Sequence, residues 1–275
     1  HYEENDISTL VRQGRLTGPS GAWAKIAARV ANIPEYQNLF EAAYPDIKAG
    51  RALDFTDISN AVAAFMTVEF RSDSAPFDAY LRGTAELAPA AQRGMEFFYG
   101  QGGCSNCHAG PFMTDHDFHA MGTPQLGPGK GERFERHQRD IGRMRVTNRP
   151  EDMFAFRTAS LRNVTLTAPY GHAGGHLDLG DFLKFHADPK QQLHRYEPQG
   201  LLPPLQDSKD DWGPLKNGQD FPAIAAAVTA PAVTLSAQTL DELLAFLGSL
   251  EDPIAKAGGA MGIPAHAPSG LAIDR

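Results

Sequence analysis

The only two cysteines of the chain stand three apart, in Cys104-Ser105-Asn106-Cys107-His108, with a histidine directly after the second. Two thiols at this spacing can add across the vinyl groups of a porphyrin, and the adjacent imidazole then swings beneath the ring to bind iron. A thioredoxin-like dithiol requires a strand–helix setting and no histidine. A structural zinc requires two further ligands, and no second Cys or His pair stands at finger spacing. The motif therefore predicts one covalent haem c, held by Cys104 and Cys107 with His108 on the iron. The opposite face decides the chemistry. A sixth ligand makes an electron-transfer haem, whereas an open face admits peroxide. By residue type the candidates are His116, His119, Met121, Met144, His172, His176, His186 and His194. His172 and His176 flank glycines in a loop, where such histidines more often anchor a turn by bonding to backbone.

These groups must be positioned by helices. Apolar periodicity predicts them over Ala22–Ala31, over Glu35–Tyr44 behind Pro34, and from Thr56 or Asp57 to Phe70, with Ile58, Val62, Phe65 and Met66 on one face. Ala88–Tyr99 runs into the Gly102-Gly103 turn and so delivers the thiols. A short helix from Asp178 or Asp181 reaches His186, and a last one runs from Ser236, its N-cap, to Leu250. Strand signals are few, so the fold class is mainly α. The break at 72–86 divides the chain into units at 1–80 and 81–250, with 251–275 as a tail. Gly127-Pro128-Gly129-Lys130-Gly131 follows no strand and is not a phosphate loop.

The 275 residues are 42% hydrophobic and carry a net charge of −8. Nucleic acid and anionic membranes are poor partners for such a chain. No run of 18 apolar residues occurs, so no membrane span is expected. The 20 prolines and 27 glycines point to long ordered loops between helices. The first residues lack the basic and apolar segments of a signal peptide. Haem attachment of this type takes place outside the cytoplasm, so the expected location is the periplasm, the signal being absent from this sequence.

Three longer stretches, Gly103–Asp115, Pro124–Gly131 and Phe156–His172, resemble the bacterial dihaem cytochrome c peroxidase and MauG family. The likeness runs from about residue 34 to 250 and is to the carboxyl-terminal haem half. It implies a class I cytochrome c-like haem domain with long loops, preceded by a helical remnant of a second such domain. In that family the ligand to the second haem comes from a short helix after the Leu-Thr-Ala-Pro-Tyr segment. Carrying the register across puts His186 at that position, with Met121 as runner-up, and implies a bis-histidine haem. Arg157 and Arg162 fall where a guanidinium can pair with haem propionates, the alternative being a surface salt bridge. Thr167 and Pro169 match carbonyl ligands of a calcium ion. Glu3 or Glu4 matches, weakly, the acid that cleaves the peroxide bond; Trp23 and Trp212 inherit no electron-transfer role.

The resemblance further implies a second, peroxide-reacting haem on another segment or a companion chain. Hydrogen peroxide and a redox partner protein would be the reactants, the partner being a small cytochrome or cupredoxin donor or a protein substrate. The competing expectation is a single-haem electron carrier without peroxidase activity.

Overall fold

The computed structural model describes residues 2–125, 139–197 and 220–273. The Gly127–Gly131 loop and Trp212 lie outside the described residues. The fold is mainly α, with one two-stranded sheet among the described residues. It divides into two compact units, residues 1–71 with 257–275, and residues 72–256.

The first unit holds α1 (Tyr2–Arg12), α2 (Ala22–Ala31), α3 (Pro34–Ala43), α4 (Pro45–Lys48) and α5 (Phe55–Glu69). Among its described residues the buried apolar side chains are Ala27, Phe40 and Ile47. The expected apolar stripe of α5 forms a helix but is not covered, with Val62, Phe65 and Met66 all exposed. The N-cap is Asp54 rather than Thr56 or Asp57. Its carboxylate accepts from the Thr56 and Asp57 amides, and Asp57 answers from the third helical position to complete a capping box. Asp57 is also gripped at both oxygens by Arg51, 2.9 Å each. Residues 257–273 belong with this unit; the Met261 amide donates to the Glu69 carboxylate at 2.7 Å.

The second unit contains α6 (Pro76–Leu81), α7 (Pro89–Tyr99), α8 (Met144–Thr147), α9 (Leu179–Ala187), α10 (Pro189–Leu193), α11 (Phe221–Ala227), α12 (Ala237–Gly248) and α13 (Pro253–Lys256). The pairing of α7 with α12 organises it. Gly94 of α7 meets the α12 backbone so closely that a Cβ there would lie 1.9 Å from the Glu242 carbonyl oxygen and 2.9 Å from the Phe246 Cβ. Phe246, fully buried, packs at 5.2 Å from Phe77 and 5.1 Å from Phe98, ring to ring. Burying one such ring contributes about 2–3 kcal/mol. Phe77 sits in α6, so that helix, placed at the end of the 1–80 segment by sequence, packs into the haem-motif unit. A second cluster of Phe154, Phe185, Leu193 and Ile224 lies beside the first. Ser236 and Asp178 cap α12 and α9, each accepting from the amide three residues on.

Asp252 ties the two ends of this unit together. Its carboxylate is fully buried and accepts from the Ser74 amide and hydroxyl at 3.0 Å and from the Ile254 amide at 2.8 Å. Its own amide donates to Asn163 Oδ1 at 2.7 Å. Burial acts to raise this carboxyl's pKa, but the hydrogen bonds from Ser74 and Ile254 outweigh it and the net shift is downward. A carboxyl whose folded pKa lies below its unfolded value of about 3.9 stabilises above that pH, and the contribution is lost as pH falls below it. Asp252→Ala is expected to cost about 2 kcal/mol, because it removes the buried acceptor shared by the Ser74 and Ile254 amides. Asp252→Asn should flatten the loss of stability that the wild type shows as pH falls below the ordinary carboxylate range. Denaturant unfolding across that range checks both.

Candidate haem centre

The cysteine pair emerges from the end of α7 through a left-handed Gly103 (φ 62°). Only glycine takes this conformation without penalty. A single 3₁₀ turn over Cys104–Asn106 follows, closed by the Cys107 amide donating to the Cys104 carbonyl at 3.3 Å, with the His108 amide donating to the same carbonyl at 2.9 Å. Both thiols are free and half-buried. Burial raises both thiol pKa values, and at Cys107 the Asp115 and Asp117 carboxylates raise it further. A redox-active CxxC needs the opposite, a stabilised thiolate. Both thiols are therefore held protonated, unlike those of a dithiol catalyst.

His108 is oriented by Met113. Its Nδ1 lies 3.2 Å from the Met113 carbonyl, which can only accept, so Nδ1 carries the proton and Nε2 keeps the lone pair that could bind a metal. Met113 achieves this at a positive φ of 53° while its side chain is fully buried, with the Tyr99 hydroxyl donating to its sulfur at 3.5 Å. The loop carrying it is clamped by the segment after β2. Here β1 (Phe118–His119) pairs antiparallel with β2 (Phe156–Arg157). Beyond that pair, Thr114 Oγ1 donates to the Thr158 carbonyl at 2.8 Å, Ser160 Oγ to the Phe112 carbonyl at 2.6 Å, and Arg162 Nε to the Pro111 carbonyl at 2.9 Å.

On the other side, α9 brings His186 to face His108. The ring centroids are 6.3 Å apart and the planes are inclined at 56°. Two metal–imidazole bonds of about 2 Å each, with the ring half-widths, account for such a gap. Desolvation, then the facing His108, pushes His186 down to about 4. His108 is also lowered, by desolvation. Both imidazoles are thus neutral near pH 7, the form that binds a metal. Two thiols at attachment spacing with a pair of facing neutral imidazoles fit a haem.

The other sequence-predicted residues are placed as follows. Arg162 is committed to Asp78, with Nη1 at 2.7 Å from both carboxylate oxygens, so it acts as a clamp on the Pro111 loop. Arg157 is exposed and bonds His116 Nδ1. Thr167 is exposed, its hydroxyl donating to the Val164 carbonyl at 3.0 Å; Pro169 is exposed beside it. Glu3 and Glu4 fall in α1, and their side chains lie outside the described residues. His172 does not bond backbone as expected; it pairs with Asp140 at 2.9 Å and stacks on Phe156 at 3.7 Å. His176 Nε2 is buried without a partner among the described residues, its ring packed against Phe182, Phe185 and Tyr196. Sequence reasoning missed Met113, whose carbonyl carries no residue-type signal, and the Asp115–His119 pair, spaced four apart beside the motif.

A model of the family described as di-haem cytochrome c peroxidase matches residues 9–86, and curated relatives named for both peroxidase and MauG match the chain. The chain is similar to proteins of the dihaem cytochrome c peroxidase and MauG family. Haem c is the cofactor this likeness points to, in keeping with the site. Cytochrome c551 peroxidase of Pseudomonas aeruginosa is 36% identical over 153 residues, covering 55% of this chain and 42% of the relative. A cytochrome-c peroxidase of Denitromonas iodatirespirans is 31% identical over 227 residues, covering 72% and 57%. The chain thus spans about half the length of these curated relatives. Among solved structures, a MauG-like protein associated with microbial copper homeostasis superposes with a TM-score of 0.61 at 26% identity, covering 84% of this chain and 62% of that one. The likeness supports the cytochrome c-like, mainly α fold of the family. No helix among the described residues is long and apolar enough to cross a membrane.

Proposed function

We propose that this chain carries the electron-transfer haem of a periplasmic, peroxide-using c-type haem oxidoreductase. Cys104 and Cys107 form the thioethers, and His108 and His186 hold the iron from its two faces. The observation that carries this reading is the pair of facing imidazoles beside the attachment motif. When bound, the group supplies reversible one-electron transfer.

The chain's own residues serve that role by rigidity. Met113 fixes the His108 tautomer, and Arg162, Ser160 and Thr158 hold the loop beneath it. Phe182 packs 5.4 Å from His186, ring to ring, on the same helix, excluding water from that face. With both faces occupied by imidazole, peroxide has no position at this iron, so its reduction belongs to a second haem, on another segment or a companion chain. A small cytochrome or cupredoxin is the expected donor, with a protein substrate as the alternative partner. Calcium at the Thr167 and Pro169 carbonyls is not required by this reading. Imidazole on both faces also favours a potential below that of a His/Met haem.

The same closed coordination supports a second reading, a single-haem electron carrier. Intact mass and a pyridine haemochrome count on the natively purified protein separate the two. Two haems, or a partner polypeptide bearing one, are expected. One haem on one polypeptide with no peroxide turnover would establish the carrier.

A further inference from the structure

One cluster beside the motif is not used by the reading above. A ligand atom of Cys107, one of Asp115 and one of His119 all lie within 4.8 Å of one another. The Asp115 amide donates to the Cys107 carbonyl at 2.7 Å, which fixes the carboxylate beside that thiol. His119 Nε2 holds Asp115 Oδ2 at 2.8 Å, and the Asp117 amide donates to Asp115 Oδ1 at 2.9 Å. Burial acts against ionisation of Asp115, but the bonds from Asp117, His119 and Thr158 hold its pKa at about 2. It is therefore an anion at every working pH. Once Cys107 is spent on a thioether, Asp115 and His119 are too few for a zinc site. What remains is a fixed negative charge at the edge where Cys107 meets the porphyrin.

We propose that Asp115, held in place by His119, is the electrostatic positioning residue that lowers the redox potential of the haem attached at Cys107. A carboxylate at this range stabilises the ferric over the ferrous state, because ferric haem carries one more positive charge. The Asp115 side chain is 27% exposed, so solvent screens its charge only in part. Asp117 is the contrast. Its side chain is 65% exposed and faces Arg143 at 3.3 Å, so its charge is both screened and neutralised.

The proposal rests on the haem reading above, and the test keeps the two apart. Midpoint potentials of the haem-loaded wild type, Asp115→Asn, Asp115→Glu and Asp117→Asn are measured by spectroelectrochemistry, alongside haem content and the low-spin spectrum. Asp115→Asn should raise the ferrous-to-ferric ratio at fixed ambient potential several-fold, up to about tenfold, which is ~59 mV for a one-electron couple. Asp115→Glu should stay near wild type, and Asp117→Asn should shift less. Should Asp115→Asn take up haem poorly, Asp115→Ser removes the charge while keeping an acceptor for the Asp117 turn. An unmoved potential in a normally ligated, charge-removed variant overturns the proposal alone, as does a shift at Asp117→Asn equal to that at Asp115. A wild-type protein with no covalently bound haem overturns the proposal and the reading beneath it together.

Discussion

Gly94→Ala is expected to lower the stability of the 72–256 unit by about 3 kcal/mol, the overpacking cost at its upper ordinary range. The reason is spatial. The added Cβ would meet the Glu242 carbonyl oxygen at 1.9 Å and the Phe246 Cβ at 2.9 Å, and both belong to the interior of α12. Backbone cannot yield as a flexible side chain can, so α7 and α12 must separate. Separation loosens Phe246, which is fully buried and contacts Phe77, Phe98 and Tyr99. For a unit of this size the loss corresponds to roughly 6–12 °C in melting temperature. Gly248, the last residue of α12, is the control, with nothing within 4 Å of the place an alanine methyl would take. Gly248→Ala should be neutral or slightly stabilising, since alanine restricts the unfolded chain and favours helix. Equal losses at both positions would refute the close-approach argument.

His186→Ala carries the largest expected functional change. With His108 alone on the iron, the ferric haem should turn from low-spin to high-spin and take up external imidazole, which restores the low-spin spectrum. His186→Met should remain six-coordinate and shift the potential upward, because a thioether favours the reduced state relative to imidazole. Absorption and electron paramagnetic resonance spectra read both. A spectrum of His186→Ala that stays low-spin without added ligand would assign the sixth position to another residue, with Met121 first in line. His108→Ala is the less informative variant, because it disturbs the attachment motif itself.

The legible parts of this protein were those written in local sequence. The CxxCH motif, the helices of α7, α9 and α12, and the Ser236 and Asp178 caps depend on spacing over a few residues. His186 needed a family register, since a histidine following Phe182, Leu183 and Phe185 on an amphipathic helix has an ordinary surface reading. The stripe of α5 announced a helix correctly, yet its periodicity did not say whether Val62, Phe65 and Met66 would be covered; they are exposed. Other features depend on residues far apart. Gly94 reads as a poor helix former until the α12 backbone stands against it. Arg162 grips Asp78, a partner 84 positions away that no spacing rule reaches. Met113 acts through its carbonyl and a left-handed backbone, which a methionine does not advertise.

The first unit is discontinuous along the chain, made of residues 1–71 and 257–275 with all of 72–256 between them. A chain that emerges amino-terminus first must therefore hold the first piece unfinished while the intervening unit is made. At ribosomal rates of about 5–20 residues per second that interval is on the order of 10–40 s. Throughout it, Glu69 waits for the Met261 amide. Order of appearance thus leaves this unit to be completed only after the 72–256 unit has been made, and it gives residues 257–273 a part in finishing it that their sparse burial does not suggest.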